Sequence, residues 1–175
     1  MAGITLKEVR ALIQAAEGGS AYLAGLDLSG LDLRGLDLRG ANLSGARLGG
    51  AVLRGVDLSM NLATESAAIC VRADLEAADL RDANLAGVTF AGARLVGAKL
   101  DGARMADARL QPEGNDATDL SGASLRGADL RGANLTRARL AGADLSGASL
   151  DGAVLFQADL TGAVGVAARA GPLEG

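Results

Sequence analysis

The feature that most constrains this 175-residue chain is a five-residue unit that recurs along most of its length. In its clearest form the unit reads Ala-Asp-Leu-Ser-Gly, as at Ala143–Gly147, or Ala-Asn-Leu-Ser-Gly, as at Ala41–Gly45. A strict period of five matches neither the 3.6 residues of an α-helical turn nor the alternation of a long β-strand. Self-similarity at a fixed period instead predicts an architecture of stacked structural repeats.

The central residue of each unit, the Leu position, is apolar in about 26 units that form three runs, Leu23–Leu58, Cys70–Leu110 and Leu120–Leu160. The residue two positions earlier is nearly always Ala, and the residue two positions later is usually Gly. Residues two apart in an extended segment point to the same side, so we expect Ala and Leu to face inward and the residue between them to face solvent. Each unit is then one short side of a coil, with Gly or a small polar residue at the corner.

These in-phase units resemble the pentapeptide-repeat family, whose consensus is Ala-Asp/Asn-Leu-X-X, over residues 21–60, 68–112 and 118–162. The resemblance implies an all-β solenoid, a right-handed quadrilateral β-helix with four units per coil of about 20 residues. About 26 units correspond to about 6.5 coils, which would stack about 4.8 Å apart into a rod about 30 Å long. We therefore expect an N-terminal cap at 1–20, the β-helix at 21–163 and a C-terminal tail at 164–175.

The first segment carries the signals of a capping α-helix. Thr5 and Glu8 have the spacing of a capping box, and apolar residues then recur at helical spacing until Gly18 and Gly19. We expect an amphipathic helix at about 6–16 that covers the unpaired edge and the apolar interior of the first coil.

The opposite end of the repeat has no comparable signal. Beyond Leu160 the sequence is short and broken by Gly, which does not predict a secure cap. An end that is only half covered can pair with a second copy in a two-fold dimer. The candidate self-association residues are Phe156, Val164, Val166 and Leu173.

Two interruptions break the repeat, near residues 61–67 and 112–117. The second contains Pro-Glu-Gly-Asn-Asp, which is strong turn chemistry. Both are explained either as insertions tolerated at a corner or as surface loops that recognise a partner. The candidate partner-binding residues are Asn61, Thr64, Glu65, Ser66, Glu113, Asn115 and Asp116.

The outward residues test the expected length of the coil, because residues 20 positions apart should then be neighbours. Opposite charges at this spacing, or an amide and a cation, predict the pairs Asp27 with Arg47, Asp74 with Arg94, Asp79 with Lys99, and Asn84 with Arg104. We expect Asp119, Arg139 and Asp159 to alternate in sign on another face. Cross-strand pairing of opposite charges favours this register.

The residue types argue against catalysis and ligand binding. The chain has no His, which is the commonest general base and metal ligand. Cys70 stands at an inward Leu position, which predicts a buried and inert thiol. No metal-ligand spacing stands out, and no Gly-rich stretch precedes a helix as a phosphate loop must. We expect no enzyme activity, no cofactor, no metal and no small-molecule substrate.

Composition narrows the partners and the compartment. The net charge is −4 with both signs interspersed, and only 2% of the residues are aromatic. Direct binding of nucleic acid requires a basic stripe and aromatic stacking platforms, so it is not expected. No stretch approaches the roughly 18–20 apolar residues of a membrane span, and the beginning of the sequence lacks the pattern of a signal peptide. With a single Cys, these features predict a cytoplasmic protein.

Two functional classes remain open at this point. The first is a non-catalytic rod that binds a protein partner. Within it, the family resemblance implies a specific hypothesis, in which the rod partly mimics B-form DNA, binds DNA gyrase or topoisomerase IV and protects against topoisomerase inhibition. The candidate acidic face for this role consists of Asp119, Asp129 and Asp144, although a DNA mimic needs contiguous negative potential and arginines interrupt it here. The second class is a structural scaffold or self-assembling module with no topoisomerase role.

Overall fold

A computed structural model describes residues 4–111 and 117–166 of the chain. Over these residues the fold consists of one α-helix, α1 (Leu6–Ala15), and a long series of isolated single-residue β-bridges. The helix expected at 6–16 is therefore confirmed to within one residue. Within the same part of the chain, no helix has the length and apolar character needed to cross a membrane.

Helix α1 begins at the expected capping box. The Thr5 hydroxyl oxygen accepts the Glu8 backbone N–H at 3.3 Å, and the Glu8 carboxylate accepts the Thr5 backbone N–H at 2.7 Å. These two bonds satisfy donors that a helix start otherwise leaves free. Val9 is fully buried, and Leu6 and Ile13 pack against the same core. The helix thus covers the apolar interior at its end of the rod.

The rest of the described chain winds into coils of 20 residues, each made of four five-residue units. Asp27 forms a parallel bridge with Arg47, and Asp119 forms one with Arg139. The backbone N–H of Leu28 donates to the carbonyl of Arg47 at 2.7 Å, and equivalent bonds recur at the other inward positions. Because each bond joins one coil to the next, the coils stack as the repeat predicts. The right-handed sense implied by the family resemblance stays a prediction.

The bridged residues form four columns, one on each face of the coil, and the faces are numbered here in chain order. Face 1 contains Tyr22, Asn42, Ile69, Thr89, Arg109, Asn134 and Val154. Face 2 contains Asp27, Arg47, Asp74, Arg94, Asp119, Arg139 and Asp159. Face 3 contains Asp32, Val52, Asp79, Lys99, Ser124, Asp144 and Val164. Face 4 contains Asp37, Asp57, Asn84, Arg104, Asp129 and Ser149.

Two insertions lengthen the chain between coils without breaking these columns. The spacing between bridged residues rises from 20 to 27 at Asn42–Ile69 and to 25 at Arg94–Asp119. The first insertion enters the chain between face 4 and face 1, and the second lies between Arg109 of face 1 and Asp119 of face 2. Both insertions therefore border face 1.

This register corrects one prediction. Asp119, Arg139 and Asp159 lie on face 2, the same face as Asp27 and Asp74, and the prediction of another face was wrong. The predicted pairs with a spacing of 20 are confirmed as bridged neighbours. A fixed count of 20 residues fails across the insertions because their lengths are not multiples of the coil.

The core is a thin, regular column of inward Leu and Ala side chains. Phe90 and most residues at the Leu position are fully buried, together with the Ala residues two positions before them. Thr118, a polar residue at an inward Ala position, is also buried, and its hydroxyl donates to the Phe90 carbonyl at 2.8 Å. Leu150, Leu155 and Leu160 are only partly buried, so the core thins out in the last described coil.

Candidate functional site

The outward residues of face 2 form a ladder of alternating charge. Its Asp and Arg residues follow one another without exception over seven positions. The Arg47 guanidinium lies 2.9 Å from the Asp27 carboxylate, and Arg94 lies 3.4 Å from Asp74. These pairs are exposed, so each contributes only about 0–1 kcal/mol to stability. Alternation also cancels the long-range field of face 2, which therefore presents no continuous negative strip.

A second kind of ion pair forms within single units, between residues two positions apart in the triplet Asp-Leu-Arg. The pairs are Asp32–Arg34 and Asp37–Arg39 at 2.6 Å, Asp79–Arg81 at 2.5 Å and Asp129–Arg131 at 2.8 Å. The hydrogen bond from the Arg34 side chain lowers the pKa of Asp32 to about 2. Sequence reasoning considered only pairs between coils and missed these, although the recurring triplet was a visible signal.

The three residues of the candidate acidic face do not share a face. Asp119 lies on face 2, Asp129 on face 4 and Asp144 on face 3. Each carboxylate also has a cationic partner, namely Arg139 at 3.8 Å, Arg131 at 2.8 Å and Arg126 at 2.9 Å respectively. The structure therefore does not bring them together into one acidic surface.

The first insertion is a small hairpin that packs against the segment following α1. Asn61 and Ser66 form an antiparallel bridge, with the Asn61 backbone N–H donating to the Ser66 carbonyl at 2.9 Å. The Asn61 side chain is buried and donates to the Gly18 carbonyl at 3.2 Å. The Thr64 and Ser20 hydroxyls are hydrogen-bonded at 2.9 Å. Asn61 and Thr64 thus anchor the hairpin to the rod.

Other side chains of this hairpin face solvent. Glu65 and Ser66 are exposed, and their role in binding a partner stays a prediction. Leu62 is 78% exposed and Met60 is 50% exposed, and sequence reasoning singled out neither. Exposed apolar side chains mark an interaction site only where they form a contiguous patch. Of the second insertion, Glu113, Asn115 and Asp116 lie outside the described residues.

Face 1 differs from the other faces in composition. Its column mixes apolar and uncharged polar residues, and Tyr22 is 70% exposed. Phe156, a candidate self-association residue, is exposed at the end of the same face beside Val154. Two other candidates lie elsewhere, because Val164 is exposed on face 3 and Val166 packs partly buried against the core. The fourth candidate, Leu173, lies outside the described residues. The three described candidates therefore do not form a single patch.

The described residues offer little for catalysis or cofactor binding. No group of His, Cys, Asp or Glu among them could hold a metal ion. Burial raises the pKa of the Cys70 thiol to about 12, so the thiolate nucleophile is not populated at neutral pH. An open groove of about 930 Å³ lies between α1 and the first coil. Its charged lining residues already have partners, Glu8 in the capping box and Asp27 in its pair with Arg47.

The repeat matches a known family. The sequence pattern of the family described as pentapeptide repeats matches in eight copies over residues 21–59, 68–107, 116–152 and 133–164. No curated protein matches the chain at a significant level.

Several solved structures are similar. HetL, a pentapeptide repeat protein involved in regulation of heterocyst differentiation in the cyanobacterium Nostoc sp. strain PCC 7120, is 36% identical with a TM-score of 0.64, covering 83% of this chain and 70% of HetL. QnrB1, a plasmid-mediated fluoroquinolone resistance protein, is 18% identical with a TM-score of 0.49, covering 81% of this chain and 71% of QnrB1. Rfr23 from the cyanobacterium Cyanothece 51142 is 23% identical with a TM-score of 0.42, covering 91% of this chain and 99% of Rfr23.

The repeat matches most of the sequence, and its expected four-unit coil is the coil that the structure contains. The identity to HetL extends over more than two thirds of both chains. This protein belongs to the pentapeptide-repeat family.

Proposed function

We propose that this protein is a non-catalytic rod that works by binding another protein. The observation that carries the proposal is the separation of inward and outward residues in the repeat. Inward residues are buried in the core, and outward residues form four regular faces. Among the described residues, no group of His, Cys, Asp or Glu is placed to hold a metal ion. Regular, extended surfaces of this kind are what repeat proteins use for recognition. The regulatory involvement of HetL is consistent with a binding role.

Photo-crosslinking from each face tests this proposal. Benzoyl-phenylalanine would replace one ladder residue per face in separate full-length variants, at Thr89, Asp74, Ser124 and Asn84 for faces 1 to 4. Each variant is expressed in cells of the source organism and irradiated. We expect at least one variant to form a discrete crosslinked species with another protein. Four variants that fold and yield no such species would overturn the proposal.

A topoisomerase partner is the second candidate, and it derives from the family resemblance. The two insertions that interrupt the rod support it, since loops on a rigid scaffold commonly make specific contacts. The charge pattern weighs against it, because the alternating face 2 and the paired carboxylates do not produce the continuous acidic strip of a DNA mimic. A gyrase supercoiling assay with and without a quinolone decides the matter. Protection by micromolar protein would support this candidate, and no effect would remove it.

Self-assembly is the alternative class, and the thinning core of the last described coil favours it. Partly buried apolar side chains at the end of a solenoid can be covered by a second copy. Sedimentation of the wild type and of a variant with both Val164→Asp and Val166→Asp tests this alternative. A wild-type dimer that the double variant converts to a monomer would support it. A monomer in both cases would exclude it.

A further inference from the structure

Negative charge is distributed unequally among the four faces. The columns of faces 2, 3 and 4 each contain at least three Asp residues, whereas the column of face 1 contains none. The second outward position on face 1, directly after each Leu position, is equally free of acid among the described residues. Its occupants are Ala24, Ser44, Val71, Ala91, Gln111, Thr136 and Phe156. In a chain with 21 acidic residues, the outward positions of face 1 therefore contain none over the described length, and Asp107 stands only at the corner that precedes Arg109.

Exposed apolar side chains concentrate on the same side. Eight large apolar residues are exposed in the described structure, and four of them lie on face 1, namely Tyr22, Ile69, Val154 and Phe156. Two more, Met60 and Leu62, lie at the first insertion, which borders this face. On face 1 they form two groups, with Tyr22 and Ile69 in the first three positions of the column and Val154 and Phe156 at its last position. Contiguous exposed apolar groups mark sites of association.

Two arginines on this side, like Arg104 on face 4, have no carboxylate partner among the described residues. Arg109 stands in the column of face 1, and Arg137 stands at the corner that follows it. Both are exposed, and neither has a carboxylate within ion-pair distance among the residues that the structure describes. In contrast, the arginines of the Asp-Leu-Arg triplets are all neutralised by their own units.

We propose that face 1, together with the first insertion at its border, is the docking surface for a protein segment that presents carboxylates between apolar side chains. This inference rests on the proposed protein-binding function and specifies its surface. Charge complementarity selects the partner, because guanidinium groups without an ion pair favour carboxylates and the outward positions of face 1 contain no acidic residue. The exposed Glu65 of the insertion is the one acidic residue among the described residues of that segment.

The size of the surface explains why the insertion belongs to it. Seven ladder residues at about 4.8 Å form a strip about 29 Å long, and three extended residues make it about 10 Å wide. The strip of about 300 Å² is smaller than the roughly 800 Å² that each partner contributes to a standard interface. The exposed Leu62 and Met60 extend the apolar part of the surface beyond the strip.

A nucleic acid is the less favoured occupant. Phosphate recognition requires a dense basic track, and stacking requires several aromatic platforms. Face 1 offers Arg109 in its column and Arg72 and Arg137 at the corner that follows it, and its aromatic residues Tyr22 and Phe156 stand at opposite ends. Binding of single-stranded DNA that depends on Arg109 would therefore overturn the inference.

The test is a selection of random dodecapeptides displayed on phage, panned on the immobilised full-length protein. We expect the recovered peptides to be enriched in Asp or Glu together with aromatic or aliphatic residues. Binding of a synthetic copy should weaken about tenfold or more in Arg109→Glu and in Arg137→Glu, since a lost charge-assisted contact becomes a repulsion. Arg104→Glu is the matched control, because Arg104 has the same position in the preceding unit but lies on face 4.

The control should bind within about twofold of the wild type. Peptides without acidic enrichment, or equal losses in Arg104→Glu and Arg109→Glu, would refute the inference. Circular dichroism of each variant establishes that these exposed substitutions leave the fold intact. The crosslinking experiment separates the two levels of the proposal. Crosslinks that arise only from faces 2, 3 or 4 overturn the docking surface and keep the protein-binding function, whereas their absence from every face overturns the function itself.

Discussion

Truncation of one inward side chain is the clearest test of the coil. Leu130 is fully buried and stacks between Met105 and Leu150 of the neighbouring coils. Leu130→Ala removes three carbon groups, which at about 0.8 kcal/mol each lowers the free energy of unfolding by about 2.4 kcal/mol. The backbone on both sides is fixed by ladder hydrogen bonds, for example from the Leu130 N–H to the Ser149 carbonyl at 2.8 Å. Because the site cannot collapse, the residual cavity should raise the total cost to about 3–5 kcal/mol.

The neighbouring outward residue provides the contrast. Asp129 lies at the surface, where its carboxylate pairs with Arg131 at 2.8 Å and accepts the Arg131 backbone N–H at 3.2 Å. A surface pair of this kind contributes about 0–1 kcal/mol, and a Ser hydroxyl can accept the same backbone N–H. Asp129→Ser should therefore change the free energy of unfolding by less than about 1 kcal/mol.

Urea denaturation followed by circular dichroism measures both changes. A shift of the midpoint at constant slope reports a change in stability. Leu155→Ala serves as an internal control, since Leu155 has the same inward position but is only partly buried in the last described coil. Its loss should be clearly smaller than that of Leu130→Ala. Equal losses in Leu130→Ala and Asp129→Ser would refute the assignment of inward and outward positions.

Three further outcomes follow from the structure. Gly40→Ala should lower the melting temperature well beyond Gly45→Ala. The two glycines have nearly the same φ, +66° and +64°, but of the two only Gly40 would place a new Cβ within 2.9 Å of three neighbouring atoms. Equal shifts would contradict the tight packing at Gly40. Cys70 should resist a thiol reagent in the folded protein and react after unfolding in urea, and fast labelling of the folded state would contradict its burial. The pKa of Asp32 is lowered to about 2 by Arg34, so its stabilising effect should be present above about pH 4 and disappear as the pH falls towards 2. Carboxyl NMR titration should find this low pKa and its return towards the ordinary value in Arg34→Gln.

Local features of the fold were predictable because they depend on short spacings. The period of five separates inward from outward residues, and the Thr5–Glu8 capping box marks the start of α1. Both signals act over a few residues, so no knowledge of the remainder of the chain is required.

The composition of the faces was not predictable in the same way. The composition of each face depends on how many residues an insertion adds before the regular coil resumes. The sequence alone does not show at which residue the insertion begins and ends. Counting in steps of 20 therefore misplaced Asp119 and hid the fact that Ile69 follows Asn42 on face 1. The role of Asn61 was hidden for a related reason, because its anchoring contact with Gly18 joins residues that are distant in sequence.

Disulfide formation between engineered cysteines tests whether face 1 is one continuous surface across the first insertion. Asn42 and Ile69 are bridged neighbours, so their Cα atoms should lie about 5 Å apart, within the range of a disulfide. Asn42 and Thr89 lie two coils apart on the same face, about 10 Å, which is too far. Under mild oxidation we expect a disulfide in Asn42→Cys/Ile69→Cys and none in Asn42→Cys/Thr89→Cys. No disulfide in the first variant, or equal yields in both, would contradict this continuity.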